Sequence, residues 1–315
     1  MRAAVIDRYG APEIVRVTEV PKPVPRNDEV LVRIHAAAVT SGDARIRAAR
    51  FPGGFAPFAR LVFGLRRPRR PVLGNTFSGI VDAVGSRADG FAVGDAVCGM
   101  TGLRMGAHAE YVAVAAKRLA LKPAAVSHED AAGLLFGGTT ALFFLRDKAS
   151  VGPGMSVLVN GASGAIGTNA VQLARHFGAT VTAVTSTANI ELVTRLGAER
   201  VVDYTCEDLA SNDERFDVVL DTVGNLSGQS GRRLLASGGT LLLAVASLGE
   251  TIRARGNVVA GSSPERAGDF DVLLRLVADG RITVVHEEVY DLADIVAAYR
   301  RVDGGHKRGN IVVRP

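Results

Sequence analysis

Apolar positions in the first 120 residues fall in short runs at 29–36, 78–84, 96–98 and 110–114, each bounded by Gly, Pro or Asp. Runs of that length, alternating or continuous and closed by turn residues, predict strands. Residues 1–7 read as a first strand interrupted by charge. Gly74, Gly79, Gly85, Gly90, Gly94, Gly99, Gly102 and Gly106 recur through the same stretch. Glycines so placed mark the bulges and corners of a strongly bent, barrel-like sheet. The pattern changes near Pro123. Beyond it, apolar runs of strand length at 156–159, 180–185, 200–203, 217–221 and 240–245 alternate with helical spacing. Helices are predicted over 167–177 and over 189–196, the latter stopped by Gly197. Such alternation predicts a parallel sheet covered on both faces. The tail then reverts to a strand over 283–290, a helix over 292–302 and a strand over 310–313, which return to the first domain. The fold class is therefore α/β with two domains, 1–122 completed by 283–315, and 123–282.

Composition narrows the setting. The 47% hydrophobic and 22% charged content are globular values. No window reaches roughly 18 uninterrupted apolar residues, so no membrane span is expected. The first residues lack the apolar run of a signal peptide, and Cys98 and Cys206 are too few for a disulfide framework or a four-cysteine zinc site. A cytoplasmic location is expected. The net charge of +5 is mild, but Arg60, Arg66, Arg67, Arg69 and Arg70 crowd together beside Phe55, Phe58, Leu61, Val62, Phe63 and Leu65. The arginines read as a solvated loop or as attraction for an anionic partner. The apolar stripe reads as core packing or as a lid over a lipophilic substrate.

Chemistry concentrates at Asn160-Gly161-Ala162-Ser163-Gly164-Ala165-Ile166-Gly167, between the run 156–159 and the helical pattern of Val171, Leu173 and Ala174. Strand, glycine-rich turn and helix in that order aim backbone N–H groups at a pyrophosphate. A bare glycine turn joins many strands to helices without a ligand; here the flanking strand and helix that the motif requires are present. The second strand ends in Thr185-Ser186-Thr187-Ala188-Asn189 rather than in Asp or Glu. Without a carboxylate to repel it, a 2′-phosphate can be held by hydroxyls and amides, which favours NADP. Tyr204, after the third strand, offers a further hydroxyl. Ser186 can equally cap the next helix, and the two readings are compatible.

This segment order resembles the medium-chain dehydrogenase/reductase superfamily, with matching stretches at 74–79, 91–97, 106–112, 137–141, 161–167 and 305–312. The Gly-x-x-Gly-x-x-Gly spacing, Leu196-Gly197-Ala198 with Val202-Asp203-Tyr204, and Gly305-His306-Lys307-Arg308-Gly309-Asn310 are similar to its zinc-independent quinone oxidoreductase branch. The resemblance implies a GroES-like β-barrel-type catalytic domain plus a doubly wound Rossmann domain with a parallel sheet that binds NADP. It aligns the metal-binding Gly-His-Glu-x-x-Gly of the zinc alcohol dehydrogenases with Gly74-Asn75-Thr76-Phe77-Ser78-Gly79, and their upstream cysteine with Thr40. Asn and Thr are not competent zinc ligands in such a site, and His35, His108, His128, His176, His286 and His306 show no ligand pairing, so no metal is expected.

Without a Lewis acid, the implied reaction is hydride delivery to an acceptor that is already electrophilic, a quinone or an α,β-unsaturated carbonyl. The resemblance points to Thr40 as an oxygen-polarising contact and Asp43 as a proton relay, although a Thr can satisfy its own backbone and an Asp can cap a helix. Implied cofactor contacts run over Gly161, Ala162, Ser163, Gly164, Ala165, Ile166 and Gly167 to Ser186, Thr187 and Tyr204. Asn225 and Val245 belong nearby, with Thr140 and Asn310 on the nicotinamide side. The stretch 246–261 is short and polar where relatives carry a longer apolar insertion, leaving monomer and homodimer both open. Two rivals stand beside this reading: a low-turnover NADPH-binding redox sensor, and nucleic-acid binding through the 60–70 arginines, for which no recognisable module is present.

Overall fold

The computed structural model describes residues 1–209 and 213–315. The chain opens on the antiparallel pair β1 (Arg2–Val5) and β2 (Arg16–Glu19). It continues through β3 (Glu29–Ala38), β4 (Thr76–Val84), β5 (Ala96–Met100), β6 (Tyr111–Ala115) and β7 (Leu119–Leu121). Next come β8 (Ser156–Asn160), β9 (Thr180–Thr185), β10 (Arg200–Asp203), β11 (Phe216–Asp221), β12 (Leu235–Leu243) and β13 (Val258–Ala260), then β14 (His286–Asp291) and β15 (Asn310–Arg314). The first sheet runs β14-β15-β3-β4-β5-β7, with β6 also on β3, so the C-terminal strands β14 and β15 belong to it. Its bend has a visible cause. A Cβ at Gly79 would lie 2.0 Å from the Arg33 carbonyl oxygen, and register shifts flank that contact. Only glycine lets the strands approach so closely there.

The second sheet is parallel, in the order β10-β9-β8-β11-β12-β13. Strand order reverses between β8 and β11, and in such sheets ligands bind outside the carboxyl ends of the strands at that point. Val157, Leu158 and Val159 are fully buried, as a strand covered on both faces requires.

Helices α1 (Ser41–Ala48) and α2 (Ala56–Phe63) follow β3. None of the residues of α2 is buried; Phe58 and Leu61 are about 60% exposed. Core packing of this stripe is therefore corrected except at Phe63, which packs on the first domain's core; the rest of the helix lies on the surface with its arginines. Helix α3 (His128–Leu142), continued as a wider turn through Phe143–Lys148, packs against the first sheet and against α4 (Ala165–His176). The remaining helices are α5 (Ile190–Arg195), α6 (Gly228–Arg232), α7 (Leu248–Arg253), α8 (Ala267–Ala278) and α9 (Ile295–Asp303).

The first turn of α3 carries a pH-sensitive contact. His128 stacks on His35 at 4.6 Å, and its Nδ1 lies 2.8 Å from Ser78 Oγ, which itself donates to the Val97 carbonyl. Burial, then the neighbouring His35 and Lys122, push the His128 imidazole from 6.5 down to about 4. The unfolded chain binds the extra proton first, so stability is complete above the ordinary histidine value and falls as pH drops from 6.5 to about 4. Thermal melts across that window are expected to show this limb, and His128→Gln should flatten it. An unchanged limb in the variant would place its origin elsewhere.

Candidate active site and cofactor cleft

The turn between β8 and α4 has the construction that anion binding needs. Gly161 adopts φ +80°, and a Cβ there would lie 2.6 Å from Thr222 Oγ1. Gly164 occupies the helix N-cap without a side chain to cap it. The amides of Ala165, Ile166 and Gly167 therefore face outward at the positive end of the helix dipole. The Gly309 amide donates to the Ser163 carbonyl at 2.8 Å, bringing the 305–309 loop against the turn.

At the end of β9 the side chains form a polar corner. Asn189 Nδ2 donates to Ser186 Oγ at 3.1 Å and to Ser163 Oγ at 3.3 Å, tying this corner to the glycine turn. Ser186 occupies the N-cap position of a short turn with no side-chain cap bond, so its oxygen faces these neighbours rather than the helix amides. Buried Thr185 Oγ1 and Asn189 Oδ1 lack hydrogen-bond partners among the described residues. The expectation of no carboxylate here needs correction. Parallel pairing sets Asp203 beside Thr185, and the Thr187 hydroxyl donates to Asp203 Oδ2. The Thr205 amide and hydroxyl also donate to Asp203, at 3.0 and 2.7 Å. Hydrogen bonds from Thr187 and then Thr205 hold this carboxyl down to about 2, so it is ionised with its lone pairs engaged. Thr187 is thereby committed to Asp203. Tyr204 is exposed, and its hydroxyl lies 3.3 Å from His306 Nδ1 on the closing loop.

On the other side of the turn, Asp221 is fully buried and accepts from Asn160 Nδ2 and from the amides of Val223, Gly224 and Leu226. Burial pushes its carboxyl above the ordinary value against those bonds. Asn160 also donates to Asn225 Oδ1 at 2.6 Å, which fixes the 221–226 bend. Gly224 in that bend packs on Val245. A cleft of about 290 Å³ opens here, with Arg45, Arg50 and Phe51 on one wall and Gly224, Val245 and Ser247 on the other. Of the contacts expected from sequence, Val245 lines it. Thr140 is buried on α3, donating to the Phe136 carbonyl at 2.8 Å and lying 3.3 Å from Ser263 Oγ. Asn310 is buried and donates to the Val285 carbonyl. Neither lines this cleft.

Thr40 and Asp43 are locked together at the start of α1. The Thr40 hydroxyl donates to Asp43 Oδ2 at 2.6 Å, the Thr40 amide to the same oxygen, and the Asp43 amide to Thr40 Oγ1. This reciprocal capping box satisfies two helix-start donors. The cap reading of both residues is thus their observed geometry, and Asp43, 1% exposed, does not reach the cleft surface. The position aligned with a zinc-binding imidazole is an engaged amide. Asn75 Oδ1 accepts from the Gly102 amide at 2.7 Å, and its Nδ2 donates to Glu265 Oε1 at 3.0 Å. Glu265, which also pairs with Arg118, comes from the chain after β13, so this contact clasps the two sheets together. The hydroxyls of Thr76 and Thr40 occupy the remaining aligned positions. An amide and two neutral hydroxyls do not fit a zinc ion, and no group of three metal-ligating side chains occurs among the described residues. Sequence reasoning missed Arg45, Glu265, Asn189 and His306. Of these, Asn189 and His306 lay in motifs singled out in advance.

Residues 26–124 match the alcohol dehydrogenase GroES-like domain, and residues 196–313 the zinc-binding dehydrogenase family. The chain is 31% identical over its whole length to the 2-methylene-furan-3-one reductase of Solanum lycopersicum, covering 79% of that protein. It is 33% identical over 71% of its length to the chloroplastic NADPH-dependent alkenal/one oxidoreductase of Arabidopsis thaliana, covering 58% of that protein. Its fold superimposes on the quinone oxidoreductase of Coxiella burnetii with a TM-score of 0.89 at 27% identity, across 100% of this chain and 99% of that one. The sheet orders, the glycine turn at the strand-order reversal and these likenesses agree: the chain is an enzyme of the medium-chain dehydrogenase/reductase superfamily and belongs to its quinone oxidoreductase branch.

Proposed function

We propose that the chain is a zinc-independent, NADPH-dependent reductase of quinones or α,β-unsaturated carbonyls, acting in the cytoplasm. In this proposal residues 1–122 and 283–315 form the acceptor side and residues 123–282 the cofactor side. The observation that carries it is the engaged Asn75 amide where a zinc dehydrogenase holds an imidazole, beside a glycine turn built for a dinucleotide. The first amides of α4 suit the pyrophosphate, and the unpartnered Thr185 hydroxyl with Ser186 suits a 2′-phosphate. The ionised Asp203 weighs against that phosphate, but its oxygens already accept from Thr187 and Thr205. When bound, NADPH supplies a hydride.

In an enone, hydride addition at the β-carbon moves the π pair to the carbonyl oxygen as an enolate, and the α-carbon then takes a proton from water. Thr40 is the proposed contact for the developing oxyanion. Because its hydroxyl donates to Asp43, it would have to turn away from that bond, with Asp43 relaying the proton.

The named relatives, a 2-methylene-furan-3-one reductase and an alkenal/one oxidoreductase, support acceptors of this class. The test is cofactor oxidation against a panel of quinones, enones and reactive aldehydes, after dialysis against a strong chelator. NADPH should exceed NADH in kcat/KM by at least about tenfold, equivalent to one engaged phosphate. Chelation should leave turnover intact. Absence of turnover across the panel rejects the reductase, a tenfold preference for NADH rejects the Ser186 argument, and loss on chelation rejects zinc independence.

A further inference from the structure

The cleft between α1 and the end of β12 contains a charge imbalance that the reductase reading leaves unexplained. Arg45 and Arg50 both line it, and no carboxylate does. Arg45 is only partly exposed, yet it forms no ion pair among the described residues. Two positions along, Arg47 is paired with Asp303; Arg118 and Arg146 also have carboxylate partners. Burial pulls the Arg45 guanidinium below its ordinary value, and no carboxylate among the described residues pairs with it to oppose the effect. A partly desolvated cation without a counter-charge is costly. Such a local inconsistency in a cleft marks a place where a ligand completes the electrostatics. The rest of the wall sets the ligand's shape. Phe51 stacks parallel to Phe63 at 6.1 Å, and together with Val245 it provides an apolar slot. The volume of about 290 Å³ sits at the low end for small-molecule sites, too small for a long prenyl tail. The glycine turn that suits the pyrophosphate does not line this cleft, although the expected cofactor contact Val245 does, so the arginines stand clear of the pyrophosphate.

We propose that Arg45 and Arg50 bind a carboxylate on the acceptor, making the preferred substrate a small conjugated carbonyl compound that carries a carboxylate. The guanidinium fork matches a planar carboxylate in two-point fashion, while Phe51 and Val245 flank the conjugated segment. This inference rests on the reductase reading, and the test separates the two.

The acceptors are β-acetylacrylate and its methyl ester, which share the conjugated ketone and differ in the anion. With saturating NADPH, wild type should favour the acid over the ester by at least about tenfold in kcat/KM. In Arg45→Gln and in Arg50→Gln that ratio should fall toward one. A wild-type ratio near one, or a ratio that neither substitution moves, overturns the proposal. A raised KM for NADPH with the ratio intact also overturns it, assigning the arginines to the cofactor. If neither acceptor is reduced and the quinone, enone and aldehyde panel is silent as well, the reductase reading fails separately. The anion site is then read by calorimetric titration with levulinate, where binding at least about tenfold tighter to wild type than to Arg45→Gln supports it and equal binding overturns it.

Discussion

Replacing Gly167 by alanine is expected to weaken NADPH binding about a hundredfold and to lower the Tm, whereas alanine at Gly164 should weaken binding with the Tm nearly unchanged. The two glycines lie in one turn but face different neighbours. A Cβ at Gly167 would sit 2.1 Å from the Gly161 carbonyl oxygen and 2.6 Å from the Ala162 Cα. Both are backbone atoms, so no rotamer change relieves the clash, and either the turn or the first turn of α4 must move. Overpacking of this kind costs about 1–3 kcal/mol of stability. The same movement takes the Ala165 and Ile166 amides out of line with a pyrophosphate, and a further 2–3 kcal/mol or so of lost contact gives the hundredfold. At Gly164 the nearest atom to a new Cβ is 3.5 Å away, and the backbone is extended at φ −79°, which any residue adopts. The folded chain tolerates alanine there; a pyrophosphate drawn close to the backbone does not. Fluorescence titration of NADPH beside thermal melts reads both quantities. Unchanged NADPH affinity in both variants would remove the cofactor from this turn.

The glycine turn was legible in sequence because it is local: strand, turn and helix follow each other within a few residues. The parallel strands were legible for a related reason. Residues buried on both faces give unbroken apolar runs, and the observed β8, β9, β10 and β11 fall within a residue or so of those runs. The start of β12 at Leu235 was not, because Gly238 and Gly239 interrupt its apolar pattern before Thr240. Helix α3 was missed altogether. It is buried nearly all round, so it has no polar face, and Gly133, Gly137 and Gly138 read as breakers. Those glycines are what allow its position: a Cβ at Gly137 would lie 2.1 Å from the Ala165 carbonyl oxygen, so α3 can touch the cofactor helix only there without one. Side-chain partners across strands were hidden for a different reason. Thr187 meets Asp203 only because β9 and β10 pair in parallel, and Arg45 and Val245 line one cleft only because distant parts of the chain close on it. Local pattern carries neither fact.

Helix α1 presents Arg45 to that cleft, and the device that anchors it yields a ranking of three variants. The Arg47 side chain is 0% exposed, donates to the Gly10 carbonyl and to Asp303 on α9, and lies 5.1 Å over the Tyr299 ring. Tyr299 in turn lies 3.2 Å from His108 Nδ1, so the arginine caps a buried polar stack joining the two ends of the chain. A guanidinium stays charged when its partner is removed. Asp303→Ala therefore strands a buried cation and is expected to cost about 3–5 kcal/mol, a Tm loss on the order of 10 °C. Arg47→Met removes the charge and keeps most of the volume. Asp303, about a quarter exposed, can then turn to water, so this variant should cost less, about 1–2 kcal/mol. The double variant should be more stable than Asp303→Ala alone, because the second substitution removes the stranded charge. Denaturant titration of all three measures the order directly. A double variant less stable than either single one would mean that the anchor acts through packing on Tyr299 and not through its charge.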